Sequence, residues 1–305
     1  MGVIPVVVLA GFLGSGKTTL LNHLLRTSGG TRIGVVVNDF GRINVDAFSV
    51  SAQVDSMVSL SNGCLCCAVD GSELDDMLVK LAAADLDVIV IEASGLAEPS
   101  ALVRLVLQAP GVSYGGLIYV VDAVELDAVP HLERDLSLAD LVVLNKVDRV
   151  SSPPSLPCSA PVVPVTYGQI DPALLFEVRP PDLGPRQLSF DDLEDHSTHT
   201  HASYDSVSFE CPDPLHPKLF MDFLAARPEG LFRAKGFVRF PLGTFMLQTV
   251  GAYVSFTPVD DEAPTQLVLI GAGIDPDSVT DWLLACVADA PVTEQDMLWV
   301  LRYAR

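Results

Sequence analysis

A glycine-rich motif directly after the first apolar run constrains this chain more than any other feature. Residues 11–19 read GFLGSGKTT and fit the pattern G-x-x-x-x-G-K-[ST] at Gly11, Gly16, Lys17 and Thr18. In a strand–loop–helix context, the glycines let successive backbone N–H groups face one anion, and the lysine reaches the terminal phosphates. The motif therefore predicts a nucleotide phosphate site, held by Gly11, Gly14, Ser15, Gly16, Lys17, Thr18 and Thr19.

Short β-branched runs alternate with amphipathic stretches through the first half of the chain. The predicted strands are Val6–Ala10, Gly34–Asn38, Val88–Glu92, Ile118–Asp122 and Leu141–Asn145, and the predicted helices are Thr18–Arg26, Leu74–Ala83, Ser100–Gln108 and His131–Ser137. Strands that are apolar on both faces and separated by helices indicate a parallel sheet with helices on both faces, that is, an α/β P-loop NTPase fold. Ligands of such sheets bind at the carboxyl ends of the strands.

A second, smaller domain is predicted after an acidic stretch. From Gln187 to Pro217 the sequence has no lysine or arginine but seven acidic residues and four histidines, which is typical of a solvated linker. We predict a nucleotide domain over 1–180, a linker over 181–203 and a small α+β domain over 204–305. The last has strands near Tyr204–Glu210, Gly236–Phe240, Gly251–Phe256 and Gln266–Ile270 and helices near Pro217–Ala226 and Asp277–Ala288.

The tetrapeptide Asn145-Lys146-Val147-Asp148 follows an apolar strand at the edge where a base would bind. The Asp148 carboxylate can accept hydrogen bonds from guanine N1–H and from the exocyclic amine. Adenine has no N1–H, so this carboxylate discriminates against adenine. Asn145 and the stem of Lys146 would hold the base, and Thr166 would help to close its pocket. The sequence therefore predicts GTP and GDP as ligands in preference to adenine nucleotides.

The strand ending at Glu92 leads into Ala93-Ser94-Gly95. A carboxylate at this place can hold the Mg²⁺ shell together with the Thr18 hydroxyl, or orient water, and the glycine lets the backbone turn toward a γ-phosphate. We predict Lys17, Glu92 and Gly95 as the residues of a hydrolytic centre.

Three of the six cysteines, Cys64, Cys66 and Cys67, fall within four positions. This spacing is poor for a disulfide framework and suits a thiolate metal site, with Zn²⁺ or Cu(I) favoured over Mg²⁺ and Co²⁺ left open. Three thiolates leave one tetrahedral position for an exchangeable ligand. Asp39 is assigned either to this site or to magnesium, and redox chemistry or simple burial of the thiols are the alternatives.

The charge balance restricts the partners. With 18 basic and 39 acidic residues the formal net charge is −21, which disfavours nucleic acid and anionic membrane surfaces. The longest uncharged run, Phe240 to Val259, contains two prolines and two glycines and reads as strands and a turn rather than a membrane span. The cysteine usage favours the cytosol.

The phosphate loop, Asn38-Asp39-Phe40-Gly41, GCLCC, EASGLAEP and NKVD occur in one order, and together they resemble the CobW-like metallochaperone GTPases, relatives of the hydrogenase and urease nickel-insertion GTPases. The resemblance implies that GTP hydrolysis is coupled to delivery of a metal, often zinc, to a metal-dependent client protein. It also implies that Cys64, Cys66 and Cys67 carry that metal. Where the family usually has N-E-F-G-E, this chain has Asp39 and Arg42, which leaves carboxylate ligation and metal preference open.

Other readings remain at this stage. His196, His199 and His201 in the acidic linker are either weak metal ligands or solvated residues. The same GTPase could serve cobalt, for cobalamin synthesis or nitrile hydratase maturation. Alternatives of another class are a P-loop kinase or ATPase with a redox cysteine switch, and a metal buffer that does not hydrolyse GTP. A homo-oligomer is compatible with all of them.

Overall fold

The computed structural model describes residues 3–37, 56–59, 71–178, 205–260, 263–289 and 292–304. The chain divides into two compact units, Met1–Ala202 and Ser203–Arg305. Asp39, the cysteine motif, the linker and its three histidines lie outside the described residues. Within the described ranges, no helix combines the length and apolar character needed to cross a bilayer.

The first unit is built on a seven-stranded sheet with the order β3-β2-β4-β1-β5-β6-β7. Each pairing is parallel. The strands are β1 Ile4–Gly11, β2 Ile33–Val37, β3 Ser56–Ser59, β4 Val88–Glu92, β5 Val112–Asp122, β6 Leu141–Asn145 and β7 Val162–Pro164. This architecture confirms the predicted P-loop NTPase-like α/β fold.

The described residues of this unit include four helices, which are α1 Lys17–Thr27, α2 Gly71–Ala82, α3 Pro99–Gln108 and α4 Leu132–Leu138. Helix α1 begins directly after Gly16, which adopts a left-handed conformation with φ 103°, and buries Leu20, Leu21 and Leu24. Pro99 occupies the first turn of α3, where its missing N–H costs nothing. Every residue of β2, β4 and β6 is buried, so both faces of the sheet are covered.

The sheet brings the predicted functional residues to one edge. Because the strands are parallel, their carboxyl ends meet at the same side, and the register pairs Leu9 with Glu92 and Asp122 with Asn145. Gly11 at the end of β1 pairs with Val120. The phosphate loop, the end of β4 and the base motif therefore lie side by side.

The second unit contains an antiparallel sheet with the order β11-β10-β9-β12-β8, and its described part includes three helices. Its strands are β8 Asp205–Cys211, β9 Leu231–Phe240, β10 Gly243–Val250, β11 Tyr253–Val259 and β12 Thr265–Gly271, and its helices are α5 Pro217–Ala226, α6 Pro276–Leu284 and α7 Glu294–Leu301. Phe220 and Phe256, both fully buried, form an edge-to-face pair in its core. The predicted α+β class of this unit is confirmed.

The element predictions differ from the structure in five places. Strands β3 and β10 and helix α7 were not predicted, and two strands begin earlier than predicted, β5 at Val112 rather than Ile118 and β9 at Leu231 rather than Gly236. Residues 297–301 of helix α7 are all apolar although only Met297 and Val300 are buried, so the sequence shows no helical period there. Its reciprocal capping box between Thr293 and Asp296 was the available signal.

Candidate nucleotide site

Tight backbone packing shapes the phosphate loop. Gly11 has φ 144°, and a Cβ there would lie 2.2 Å from the carbonyl oxygen of Val120 on β5. Gly16 has φ 103°, and a Cβ there would lie 2.3 Å from Nδ2 of Asn145. Both positions need glycine for conformation and for space. The loop is thus pressed against the neighbouring strand on one side and the base motif on the other.

The lysine of the loop is folded back over the loop itself. Nζ of Lys17 donates to the carbonyl oxygens of Gly11 at 2.9 Å and Phe12 at 3.0 Å. Lys17 is 7% exposed, so its charge lies inside the loop and not in solvent. An ammonium held here, beside the N-terminus of α1, provides a local positive site in a strongly acidic chain.

The first turn of α1 contacts the end of β4. The hydroxyl of Thr18 donates to Oε1 of Glu92 at 2.6 Å, and Glu92 is 5% exposed. A hydroxyl and a carboxylate in contact are the oxygen ligands that Mg²⁺ prefers, so these two side chains fit the ion that accompanies a nucleoside triphosphate. Thr19, the next residue of α1, is exposed.

The segment after Glu92 returns to the phosphate loop. A Cβ on Gly95 would lie 2.7 Å from the backbone nitrogen of Leu13 and 2.9 Å from its Cα. Only a residue without a side chain can approach the loop backbone this closely without displacing it. The structure thus places Gly95 beside the N–H groups expected to face phosphate.

Asn145 joins two loops. Its Nδ2 donates to the carbonyl oxygen of Ser15 at 2.9 Å, and its Oδ1 accepts from the N–H of Gly168 at 3.0 Å. The side chain is 2% exposed. Asn145 was predicted to hold the base, and the structure shows it bracing the phosphate loop against the loop that contains Thr166.

Lys146 extends toward the phosphate loop from a left-handed backbone with φ 62°. Its Nζ donates to the carbonyl oxygen of Gly14 at 2.7 Å and to Oδ2 of Asp122 at 2.6 Å. Asp122 was not among the predicted site residues. Its position at the carboxyl end of an apolar strand, like that of Glu92, was the signal that could have identified it.

The surfaces that would receive a base are open. Asp148 is exposed on a single 3₁₀ turn, Val147–Arg149, and Thr166 is half-buried. Tyr167 is 69% exposed and has φ 53°, an uncommon conformation for a bulky residue. Asp148 and Thr166 thus follow β6 and β7 at the same edge of the sheet as the phosphate loop.

A pocket of about 220 Å³ lies beside the loop, bounded by Gly11 and Phe12, residues 95–99, Tyr119 and helix α4. The Tyr119 hydroxyl donates to Oδ2 of Asp135 at 3.0 Å. Burial raises the pKa of Asp135, and burial followed by the charge of Asp135 raises the pKa of Tyr119. Arg134 forms an ion pair with Glu98, whose pKa is lowered by the Ser100 hydroxyl and then by Arg134.

Among the described residues no group of three or more histidine, cysteine or acidic side chains is placed to hold a metal ion. The predicted metal residues Cys64, Cys66, Cys67, Asp39, His196, His199 and His201 all lie outside the described residues. Their assignment stays a prediction.

Comparison with known proteins confirms the resemblance. The family described as CobW/HypB/UreG, nucleotide-binding domain, matches residues 5–157, and the cobalamin synthesis protein cobW C-terminal domain matches residues 204–287. The zinc chaperone YjiA of Escherichia coli is 34% identical over 197 residues, which cover 58% of this chain and 62% of that protein. The chain thus matches less than two thirds of YjiA's length.

Two further matches span most of the chain. The zinc chaperone CobW of Sinorhizobium sp is 29% identical over 336 aligned positions, covering 88% of this chain and 93% of that protein. Among solved structures, a Zn(II)-bound triple mutant of the YjiA GTPase matches with a TM-score of 0.42 and 22% identity, covering 94% of this chain and 100% of that one. The two domain matches, in the same order as the two units of the fold, show that the chain belongs to the CobW/HypB/UreG family of nucleotide-binding proteins and carries the CobW C-terminal domain.

Proposed function

We propose that this protein is a GTPase that binds a transition metal, zinc first, through Cys64, Cys66 and Cys67, and delivers it to a client protein in a nucleotide-dependent way. One observation carries the nucleotide half of the proposal. The base motif and the phosphate loop are joined by two side-chain hydrogen bonds, from Asn145 to Ser15 and from Lys146 to Gly14. The residues that would bind a guanine and those that would bind its phosphates are thus in direct contact with each other.

The loop residues provide the chemistry of phosphate binding. The Lys17 ammonium and the backbone N–H groups at the start of α1 would neutralise the phosphate oxygens, and Gly95 lets its segment approach the loop. Thr18 and Glu92 would hold Mg²⁺, which when bound offsets negative charge on the phosphates. The hydrogen bond from Thr18 to Glu92 holds the two side chains next to each other, as joint coordination of one ion requires.

The topology supports coupling between the nucleotide and the cysteines. Strand β3 is parallel to β2 and ends at Ser59, so its carboxyl end faces the same edge of the sheet as the phosphate loop. In sequence, Cys64 follows Ser59 by five residues. A metal bound by the cysteines would therefore be tethered to the side of the sheet that binds phosphate, so a change of nucleotide could alter its ligands.

The relatives support the choice of metal. YjiA and CobW are both named zinc chaperones, and a fission yeast relative that is 31% identical over 193 residues is named zinc-regulated GTPase metalloprotein activator 1. Three thiolates bind Zn²⁺ well and leave one position for a ligand from the receiving protein. We accordingly propose zinc as the cargo and a metal-dependent protein as its recipient.

The proposal is tested by titrating Zn²⁺ and Co²⁺ into the reduced protein against a competing chelator, without nucleotide, with GTP and Mg²⁺, and with GDP. The triple variant Cys64→Ser, Cys66→Ser, Cys67→Ser is titrated in parallel. Cys158→Ser serves as the matched control, because Cys158 is a partly exposed thiol outside the motif. GTP turnover is measured in the same samples.

We expect a metal affinity that differs between GTP and GDP, that is lost in the triple variant and that is kept in Cys158→Ser. By linkage, zinc must then change the GTP affinity by the same factor. Equal metal affinity in all nucleotide states would refute the coupling. Tighter binding of Co²⁺ than of Zn²⁺ would replace zinc as the cargo, and preference for ATP over GTP would refute the guanine assignment.

A further inference from the structure

The carboxylate of Asp122 contacts Lys146 of the base motif, which in turn contacts the phosphate loop, and Asp122 itself belongs to neither motif. Asp122 is the last residue of β5 and is 5% exposed. Its Oδ1 accepts from the N–H of Val124 at 2.9 Å, and its Oδ2 accepts from Nζ of Lys146 at 2.6 Å. Both carboxylate oxygens therefore accept a hydrogen bond, and Oδ2 accepts it from the charged ammonium of Lys146.

The Lys146 ammonium has a second hydrogen-bond partner in the phosphate loop. Nζ of Lys146 also donates to the carbonyl oxygen of Gly14 at 2.7 Å. The side chain of Lys146 is 27% exposed, whereas that of Asp122 is 6% exposed. One ammonium thus links the end of β5, the base motif and the phosphate loop.

We propose that Asp122 is a positioning residue for guanine nucleotides, acting through Lys146. A lysine in the left-handed conformation at the end of a strand keeps four rotatable side-chain bonds. A charged acceptor that is itself buried fixes the far end of that side chain. With Nζ fixed, the stem of Lys146 forms a defined wall for the base, and the Gly14 carbonyl is oriented by its bond to the same ammonium.

The three linked residues Asp122, Lys146 and Gly14, here called the clamp, lie where both GDP and GTP would be affected. The Asp122–Lys146–Gly14 clamp contacts the loop and the base motif, which GDP and GTP share, and none of its contacts involves Thr18, Glu92 or Gly95. Loss of the clamp should therefore weaken GDP and GTP by similar factors and leave the chemical step unchanged. This inference deepens the proposed function, because it assumes that the nucleotide is a guanine nucleotide.

The test is Asp122→Asn in the full chain without added zinc, with Asp127→Asn as the control. Asn keeps the shape and the acceptor for the Val124 N–H but removes the charge that holds Lys146. Asp127 is exposed on the neighbouring 3₁₀ turn, so its variant makes the same charge change without touching the clamp. Fluorescent GDP binding gives the Kd, and steady-state GTP hydrolysis gives kcat and KM.

For Asp122→Asn we expect the Kd for GDP and the KM for GTP to rise together by about 10- to 100-fold, the worth of one charge-assisted hydrogen bond, with kcat within about twofold. Asp127→Asn should match the wild type. A GDP Kd within about twofold of wild type, or a fall in kcat with unchanged KM, would overturn the proposal.

A second variant separates positioning from a general loss of structure. Lys146→Met keeps the stem and removes the ammonium, so Asp122→Asn should cause no further loss of GDP affinity in that background. Additive losses would overturn the proposal, since Asp122 would then act by another route. The measurement needs no metal, so a protein that binds GDP but shows no nucleotide-dependent zinc affinity fails the proposed function and leaves this inference intact.

Discussion

Replacing Asn145 by alanine should separate two loops that its side chain holds together. The change removes the hydrogen bonds to Ser15 and Gly168 and leaves a buried carbonyl oxygen and a buried N–H without those partners. Each such group costs about 1–3 kcal/mol when it is stranded. Because water entering the gap can partly satisfy these two groups, we expect the free energy of opening the first unit to fall by about 2–4 kcal/mol.

Asn145→Ala should lower the free energy of opening by more when nucleotide is present than when it is absent. A ligand at 100 times its Kd stabilises the native state by about 2.7 kcal/mol, and a tenfold weaker Kd reduces this to about 1.4 kcal/mol. Because Asn145 orients the Ser15 peptide of the phosphate loop, we expect Asn145→Ala to weaken GDP binding by at least this tenfold. The stabilisation by GDP should then fall by roughly half.

Hydrogen exchange followed by mass spectrometry measures both effects by segment. Peptides containing Gly168 or the phosphate loop report the opening free energy, with and without GDP, and peptides from residues 205–304 serve as an internal reference. Gln169→Ala is the matched control, because Gln169 is an exposed residue of the same loop. A change below about 0.5 kcal/mol in the Gly168 peptides, the range of an ordinary surface substitution, would refute the bracing role of Asn145.

Three other predictions follow from single contacts. Asp148→Asn should weaken GTP and improve binding of xanthosine triphosphate, because an amide can donate to the C2 carbonyl of xanthine; competition binding measures the exchange, and unchanged preference would contradict the base assignment. Gly168→Ala places a Cβ 2.8 Å from the backbone of α1 at φ 65°, whereas Gly14→Ala at φ 73° meets nothing within 4 Å, so the first should lower the melting temperature more, and equal shifts would contradict the packing. Burial raises the pKa of Asp135, and the hydrogen bond from the Tyr119 hydroxyl opposes that rise, so Tyr119→Phe should raise the pKa of Asp135 further, as a carbon-13 NMR titration would measure. Because the folded pKa lies above the unfolded one, the stability that this carboxyl contributes should be greatest at low pH and should be lost as the pH rises through the folded pKa.

Local patterns were sufficient to predict the sheet and the phosphate loop. Runs such as Val88–Glu92 are buried on both faces, and a motif of nine residues specifies a strand, a turn and a helix start. Parallel strands then align their carboxyl ends, so the edge that carries the site followed from topology. The sequence could not show strand β3, because four residues give too short a pattern to recognise.

The contacts inside the site depend on tertiary structure in a way that no motif encodes. The partners of Lys146 are Gly14, 132 residues away in the chain, and Asp122, 24 residues away. The sequence assigned Lys146 to the base alone, since a lysine beside a base-reading aspartate is explained by that role. Its second role depends on β5 and β6 being neighbours, which the pairing of Asp122 with Asn145 establishes.

The same contacts change how the base motif should be understood. Asn145 and Lys146 both donate to carbonyl oxygens of the phosphate loop, so these two donors shape that loop. In the proposed site, base recognition would then fall chiefly on Asp148, which is exposed and whose carboxylate matches the donor edge of guanine. Specificity and affinity are thus separable in this site. Changes at Asp148 should alter which nucleotide binds, whereas changes at Asn145, Lys146 or Asp122 should weaken nucleotides through the shared phosphate loop.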